Sequence, residues 1–189
     1  MSLNNTQAQF SFMIKPKCYA INRKKDHAEI LIYGVIGMDF WSGGGNTSDG
    51  FAEEFSALEK EFDTILVRIN SPGGDIIEGL AIYNLMAQSQ KEVNTRIDGV
   101  AASMGGIIAL AGKKVSAPKT SIFMIHCAST CMCGNASDFR ETADQLEIWD
   151  GSLIPAIAKK TGLTEDDVKA KWFDGKDHFL TGEQAFEAD

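Results

Sequence analysis

Two glycine-bearing turns set the limits on what this sequence can fold into. The first is Ile69-Asn70-Ser71-Pro72-Gly73-Gly74-Asp75, and the second is Gly99-Val100-Ala101-Ala102-Ser103-Met104-Gly105-Gly106. Each follows a β-like run and opens a helix-like one, so each presents the first N–H groups of a helix, which have no intrahelical acceptor. Such a start receives negative charge, and two of them side by side converge on one oxyanion. Ser103 lies in the second turn among Ala101, Ala102, Gly105 and Gly106, with little bulk to keep a carbonyl carbon from its hydroxyl. Small residues in this pattern also pack a helix tightly on a sheet, and an isolated motif does not separate the two readings.

The flanking pattern is that of an α/β chain. Ala28 to Gly37 reads as a first buried strand, and Thr64 to Ile69 as a second. Ile76, Ile77, Leu80, Ala81, Leu85 and Met86 then recur at helical spacing up to Gln88. Val93 to Ile97, a helix from Ser103, Lys114 to Ala117 and Ser121 to Ile125 continue the alternation. The stretch Trp41-Ser42-Gly43-Gly44-Gly45-Asn46 is too glycine-rich for regular structure, and Thr47 or Ser48 then caps a helix to about Lys60. No Lys-Ser/Thr follows those glycines, which excludes a phosphate-binding P-loop. Ser137 or Asp138 opens a long helix to about Lys160, with Phe139, Ala143, Leu146, Leu153, Ile154 and Ile157 as its apolar stripe. Pro155 removes one of its hydrogen bonds, so a kink is expected near Gly151 to Pro155. Thr164 caps a further helix with Glu165, Asp166 and Asp167 in its first turn, where they suit the dipole. Residues 1–27 are polar and mixed and read as an N-terminal arm, frayed or packed on an edge, ahead of one domain over 28–189.

Composition narrows the partners. At 189 residues, 44% apolar and 23% charged, the chain is long enough for a single hydrophobic core and ordinary for a soluble domain. A net charge of −8 argues against nucleic acid, whose phosphates are bound by surplus Lys and Arg. The longest nearly apolar run, Gly99 to Gly112, is too short to cross a bilayer, and no charged-then-apolar signal opens the chain, so the expected location is the cytoplasm. Of the four cysteines, Cys127, Cys131 and Cys133 follow His126 closely and Cys18 stands apart. A zinc site normally draws on a second, separated pair, and none is present, so free loop thiols are expected, with no metal and no cofactor.

A serine hydroxyl needs a base to become a nucleophile. The histidines are His27, His126 and His178. His27 sits in a charged loop ahead of the core, whereas His126 ends an apolar strand, where open α/β sheets place functional side chains. A lone histidine at a strand end is more often a structural hydrogen bonder. A lysine base would have to come from Lys113 or Lys114, two to three helical turns beyond Ser103.

Ser71-Pro72-Gly73-Gly74, then Ala101-Ala102-Ser103-Met104-Gly105, then Phe123-Met124-Ile125-His126, in that order, resemble the Clp protease proteolytic subunit (ClpP-like) family over roughly Ala28 to Ala185. The resemblance implies a crotonase-like α/β fold of stacked ββα units with a protruding long helix. It implies a serine endopeptidase with Ser103 as nucleophile, His126 as base and Asp177, just before Phe179-Leu180-Thr181, as the acid, with Asp174 its neighbour and competitor. It also implies an oxyanion hole from the backbone N–H groups of Gly74 and Met104, polypeptide substrates, and a homo-oligomeric ring, heptamer or tetradecamer, built through the long helix. Ile32-Tyr33-Gly34-Val35-Ile36-Gly37 and Asn70 to Asp75 are most similar to the phage or prophage branch, which matures capsids. Docking of an ATP-driven unfoldase is not implied by residues before Ala28. Family members continue past the position of Asp189 through another strand or helix. The same fold hosts acyl-CoA hydratases and isomerases that need no serine nucleophile, so these are the rival enzymes, with a non-catalytic capsid-associated scaffold protein as the second rival.

Overall fold

Strict alternation organises the centre of the molecule. In Thr64–Ser71 every second residue, Ile65, Val67, Ile69 and Ser71, is fully buried, as one face of a pleated strand requires. A computed structural model describes residues 19–39 and 44–187. Its elements, in chain order, are β1 (Ala20–Arg23), β2 (Ala28–Tyr33), β3 (Gly37–Asp39), β4 (Gly44–Asn46), α1 (Ser48–Glu61), β5 (Thr64–Ser71), α2 (Ile76–Gln88) and β6 (Glu92–Ala102). There follow α3 (Met104–Ala109), β7 (Val115–Ser116), β8 (Ile122–Ile125), α4 (Ala136–Thr161), α5 (Glu165–Trp172), β9 (His178–Thr181) and α6 (Gly182–Glu187).

Among the described residues the main sheet runs β1-β2-β5-β6-β8-β9, with β7 also on β6. Its centre is parallel and its two ends, β1 and β9, are antiparallel. Helices joining the parallel strands cover one face, where Phe51, Phe55, Leu58, Ile82 and Ile108 close over the strands with almost no exposure. Tyr33, Arg68, Arg96 and Asp98 occupy the opposite strand positions. There Asp98 accepts from Tyr33 Oη at 2.6 Å and Arg68 Nε at 2.8 Å.

Three local expectations change. The second glycine cluster does not begin the turn: β6 continues through Gly99 to Ala102, and Ser103 alone makes the corner. Gly99 serves a bulge instead. Ile69 pairs with Ile97 but Ser71 with Ala101, so β6 carries two extra residues, and the Asn70 side chain accepts from Val100 N at 3.2 Å to fill the gap. A Cβ at position 99 would lie 2.7 Å from Asn70 Oδ1. Gly44–Asn46, expected to be irregular, pairs with Gly37–Asp39 because buried Asn46 donates through Nδ2 to the Tyr33 and Val35 carbonyls, both at 2.9 Å. Finally, the apolar stripe of α4 meets the core only in its second half. Leu153, Ile154, Ala156 and Ile157 are buried, whereas none of residues 136–152 is, so more than half of the helix projects from the body.

That helix begins in a capping box, Asn135 accepting from the Ser137 and Asp138 N–H groups while Asp138 accepts from Asn135 N. It continues through Pro155, and both Gly151, whose carbonyl the proline leaves without its helical partner, and Pro155 are exposed. Of the expected arm, residues 1–18, with Cys18, lie outside the described residues; Ala20–Arg23 pairs with β2 as an edge strand. Trp41, Ser42 and Gly43 also lie outside them. No helix among the described residues is long and apolar enough to cross a membrane.

Candidate active site

The two turns meet as closely as backbone atoms allow. A Cβ at Gly73 (φ +101°) would fall 2.6 Å from Ser103 Cβ and 2.8 Å from the Ala102 carbonyl. One at Gly74 (φ +149°) would fall 2.0 Å from the Ile36 carbonyl. The Ser71–Asp75 loop is thus wedged between the Ser103 corner and the chain at Ile36, held by Ile36 N donating to Gly73 O and Asp75 N donating to Ile36 O, each at 2.9 Å. Only glycine fits both positions. Asp75 then caps α2 by accepting from Glu78 N.

Ser103 turns β6 into α3 with φ 53° and ψ −124°, and it is the one non-glycine residue of positive φ among the described residues. A non-glycine residue held in so sparsely populated a conformation stores strain at the strand-to-helix corner. Sequence patterning could not show the dihedral; the run of small residues around Ser103 was its only trace. Among the described residues, neither Met104 N at the helix start nor Gly74 N in the facing loop donates to a protein acceptor.

Strand β8 ends at Ile125 and delivers His126 to the same corner. His126 Nε2 lies 2.9 Å from Ser103 Oγ, and its Nδ1 lies 3.3 Å from Asp177 Oδ1. The Nε2 contact is a hydrogen bond, whereas the Nδ1 contact to Asp177 is an ion-pair approach. At 3.3 Å it is longer than a charge-assisted hydrogen bond, about 2.7–2.9 Å. Asp174, the competing acid, is turned elsewhere. It accepts from His178 at 2.7 Å and pairs with Lys176 at 3.0 Å, and the His178 bond is the main cause that holds its carboxyl down at about 2. His27 pairs with Asp26 at 2.9 Å, in the turn between β1 and β2.

A pocket of about 200 Å³ opens beside Ser103 and His126, walled by apolar groups of Ile76, Ile107, Met124 and Leu153 and by Cys127 and Ala128. No group of three or more His, Cys, Asp or Glu side chains among the described residues is placed to hold a metal ion. Cys127, Cys131 and Cys133 are free thiols. Sequence reasoning missed Asp150, on α4, which accepts from Ala128 N at 2.6 Å, two residues beyond His126. The helical register gave no sign of a partner 22 residues upstream in a loop.

A mostly parallel sheet carries a serine on a strained strand-to-helix corner, with a histidine from the adjoining strand at hydrogen-bond distance, in an α/β protein. The Clp protease family model matches residues 44–188, and the chain belongs to that family, with its ClpP-type α/β fold. It is 36% identical over 135 residues to the ATP-dependent Clp protease proteolytic subunit 2 of Thermobifida fusca, covering 70% of this chain and 64% of that protein. It is equally similar, 36% over 127 residues, to the proteolytic subunit 1 of Streptomyces avermitilis, covering 65% and 57%. The Bacteroides fragilis proteolytic subunit matches at 36% over 126 residues, covering 65% and 59%. The chain thus spans about three-fifths of the length of these relatives.

Proposed function

We propose that this chain is a serine endopeptidase in which Ser103 is the nucleophile, His126 the general base and Asp177 the carboxylate that orients it. The observation that carries the reading is the 2.9 Å contact between Ser103 Oγ and His126 Nε2 at a strained corner. In acylation the Oγ proton passes to Nε2 as Oγ bonds to the carbonyl carbon of the substrate. The C–N bond then breaks, and Nε2 gives the proton to the departing amine. Water repeats the sequence on the acyl-serine and releases the acid. Gly74 N–H and Met104 N–H receive the oxyanion, and a donor of this kind lowers the barrier by about 3 to 4 kcal/mol. The walls of the pocket suit an apolar side chain of a polypeptide substrate.

The relatives are named as subunits of ATP-dependent proteases. For this chain we read peptide-bond cleavage as its own activity, in the cytoplasm, with any ATP-driven unfolding supplied by a separate partner. The unburied half of α4 supports assembly into a closed homo-oligomeric ring, heptamer or tetradecamer, across which that surface would be covered. The wording at Ile32–Gly37 and Asn70–Asp75 supports a narrower version in which a prophage employs the enzyme on capsid or scaffold protein without an ATPase.

Intact mass after reaction with a fluorophosphonate tests the central claim. One adduct on the parent and none on Ser103→Ala is the expected result. Labelling that persists in the variant overturns the assignment of Ser103. Thioester turnover that survives Ser103→Ala would instead install the acyl-CoA reading, and a parent with neither reactivity would be a scaffold.

A further inference from the structure

Beyond Ile125 the sheet no longer holds the chain, since the last β8–β9 pair is Ile125 with His178. The following stretch, 127–134, has no helix or strand, yet its first residues form one wall of the pocket. Among the described residues, Ala128 makes the hydrogen bond that ties 127–134 to the rest of the fold. Ala128 N donates to Asp150 Oδ1 at 2.6 Å. Cys127 lies beside the same carboxylate and beside Gly175. Burial, reinforced by the Asp150 and Asp174 carboxylates, pushes this thiol up.

Gly175 lies two residues before Asp177, in a turn of positive φ. Asp150 therefore grips the backbone just after His126, and Cys127, beside it, adjoins the loop that carries Asp177. On the peptidase reading given above, we infer that Asp150 is a positioning residue: from the root of the projecting helix it seats His126 between Ser103 and Asp177, with Cys127 beside it where the two loops adjoin. It touches neither substrate nor reacting atoms. Its effect passes through the histidine, where a displacement of about 1 Å is enough to cost on the order of a hundredfold in rate.

The test compares parent, Asp150→Ala, Asp150→Asn and Asp144→Ala, each confirmed folded by its thermal transition, in fluorophosphonate labelling rate and in hydrolysis of a small peptide ester. Asp150→Ala is expected to label about 10 to 100 times more slowly, with the loss in kcat rather than KM. Asp150→Asn keeps an acceptor for Ala128 N and should recover most of the rate. Asp144→Ala, an exposed carboxylate on the same helix, should match the parent, which separates the grip from a general charge effect. Should Asp150→Ala not fold, Cys127→Ala removes the neighbouring thiol alone and is expected to slow labelling several-fold. Parent-rate labelling in whichever of these two variants folds overturns the inference while leaving the peptidase reading intact. A parent that does not label overturns both.

Discussion

Asp177 and Asp174 stand three residues apart and have different partners, which makes the assignment of the acid measurable. Asp177→Asn should lower turnover about 10⁴-fold, the size of the loss when a triad histidine is left in the wrong tautomer. Asp174→Asn should keep turnover near that of the parent and show its effect on acid stability instead. The Asp174 carboxyl sits at about 2 in the fold against an ordinary 3.8, so its contribution is fully present above 3.8 and disappears as pH falls through about 2. In urea unfolding followed by circular dichroism, the midpoints of parent and Asp174→Asn should differ at pH 5 and converge near pH 2. A dead Asp174→Asn beside an active Asp177→Asn would exchange the two roles. At this scale the sequence was informative wherever a residue type is scarce. With three histidines and one serine set among glycines and alanines, few pairings were open. It was silent on which of two nearby aspartates faces His126, because that depends on the turn at Gly175 and on the capture of Asp174 by His178 and Lys176.

Elements were legible where a local rule sets them. The Thr164 cap and the helical spacing of α2 follow from residues within a few positions of one another, whereas Thr47, at the start of α1, makes no side-chain cap bond. What depended on distant partners was not: the bulge at Gly99 answers to Asn70, and the short strand at Asn46 answers to the carbonyls of Tyr33 and Val35. The long helix shows the same division, since its stripe is continuous in sequence while only its second half finds a core. Ile157 is 1% exposed and Ile148 is 71% exposed. Ile157→Ala should therefore cost about 2 to 5 kcal/mol in urea unfolding, the range for a buried aliphatic truncated to alanine. Ile148→Ser should stay within about 0.5 kcal/mol of the parent under conditions where the protein is monomeric. A large loss from Ile148→Ser in the monomer would mean that the projecting half packs on the body after all.

At the scale of the whole molecule, the projecting half of α4 is a helix with a well-made start and no floor. Its capping box satisfies the first N–H groups, but isolated helices of this length are marginal in water, and local opening needs no unfolding of the sheet. Amide protons therefore become a clock for assembly. In a dilute monomer, those of residues 139–150 should exchange with deuterium far sooner than those of Leu153 to Ile157 on the same helix. When copies cover that surface, the fast half should slow toward the rate of the other, and the concentration at which it does so gives the affinity of the contact. Exchange in residues 139–150 that is already slow at nanomolar concentration, with a monomeric mass in light scattering, would show that the helix needs no neighbour. The same measurement bears on Asp150, which stands at the boundary between the two halves. A helix that breathes up to that boundary when alone would loosen the grip on the His126 loop, so solvent exchange along one helix would track the readiness of a serine at the far end of the chain of contacts.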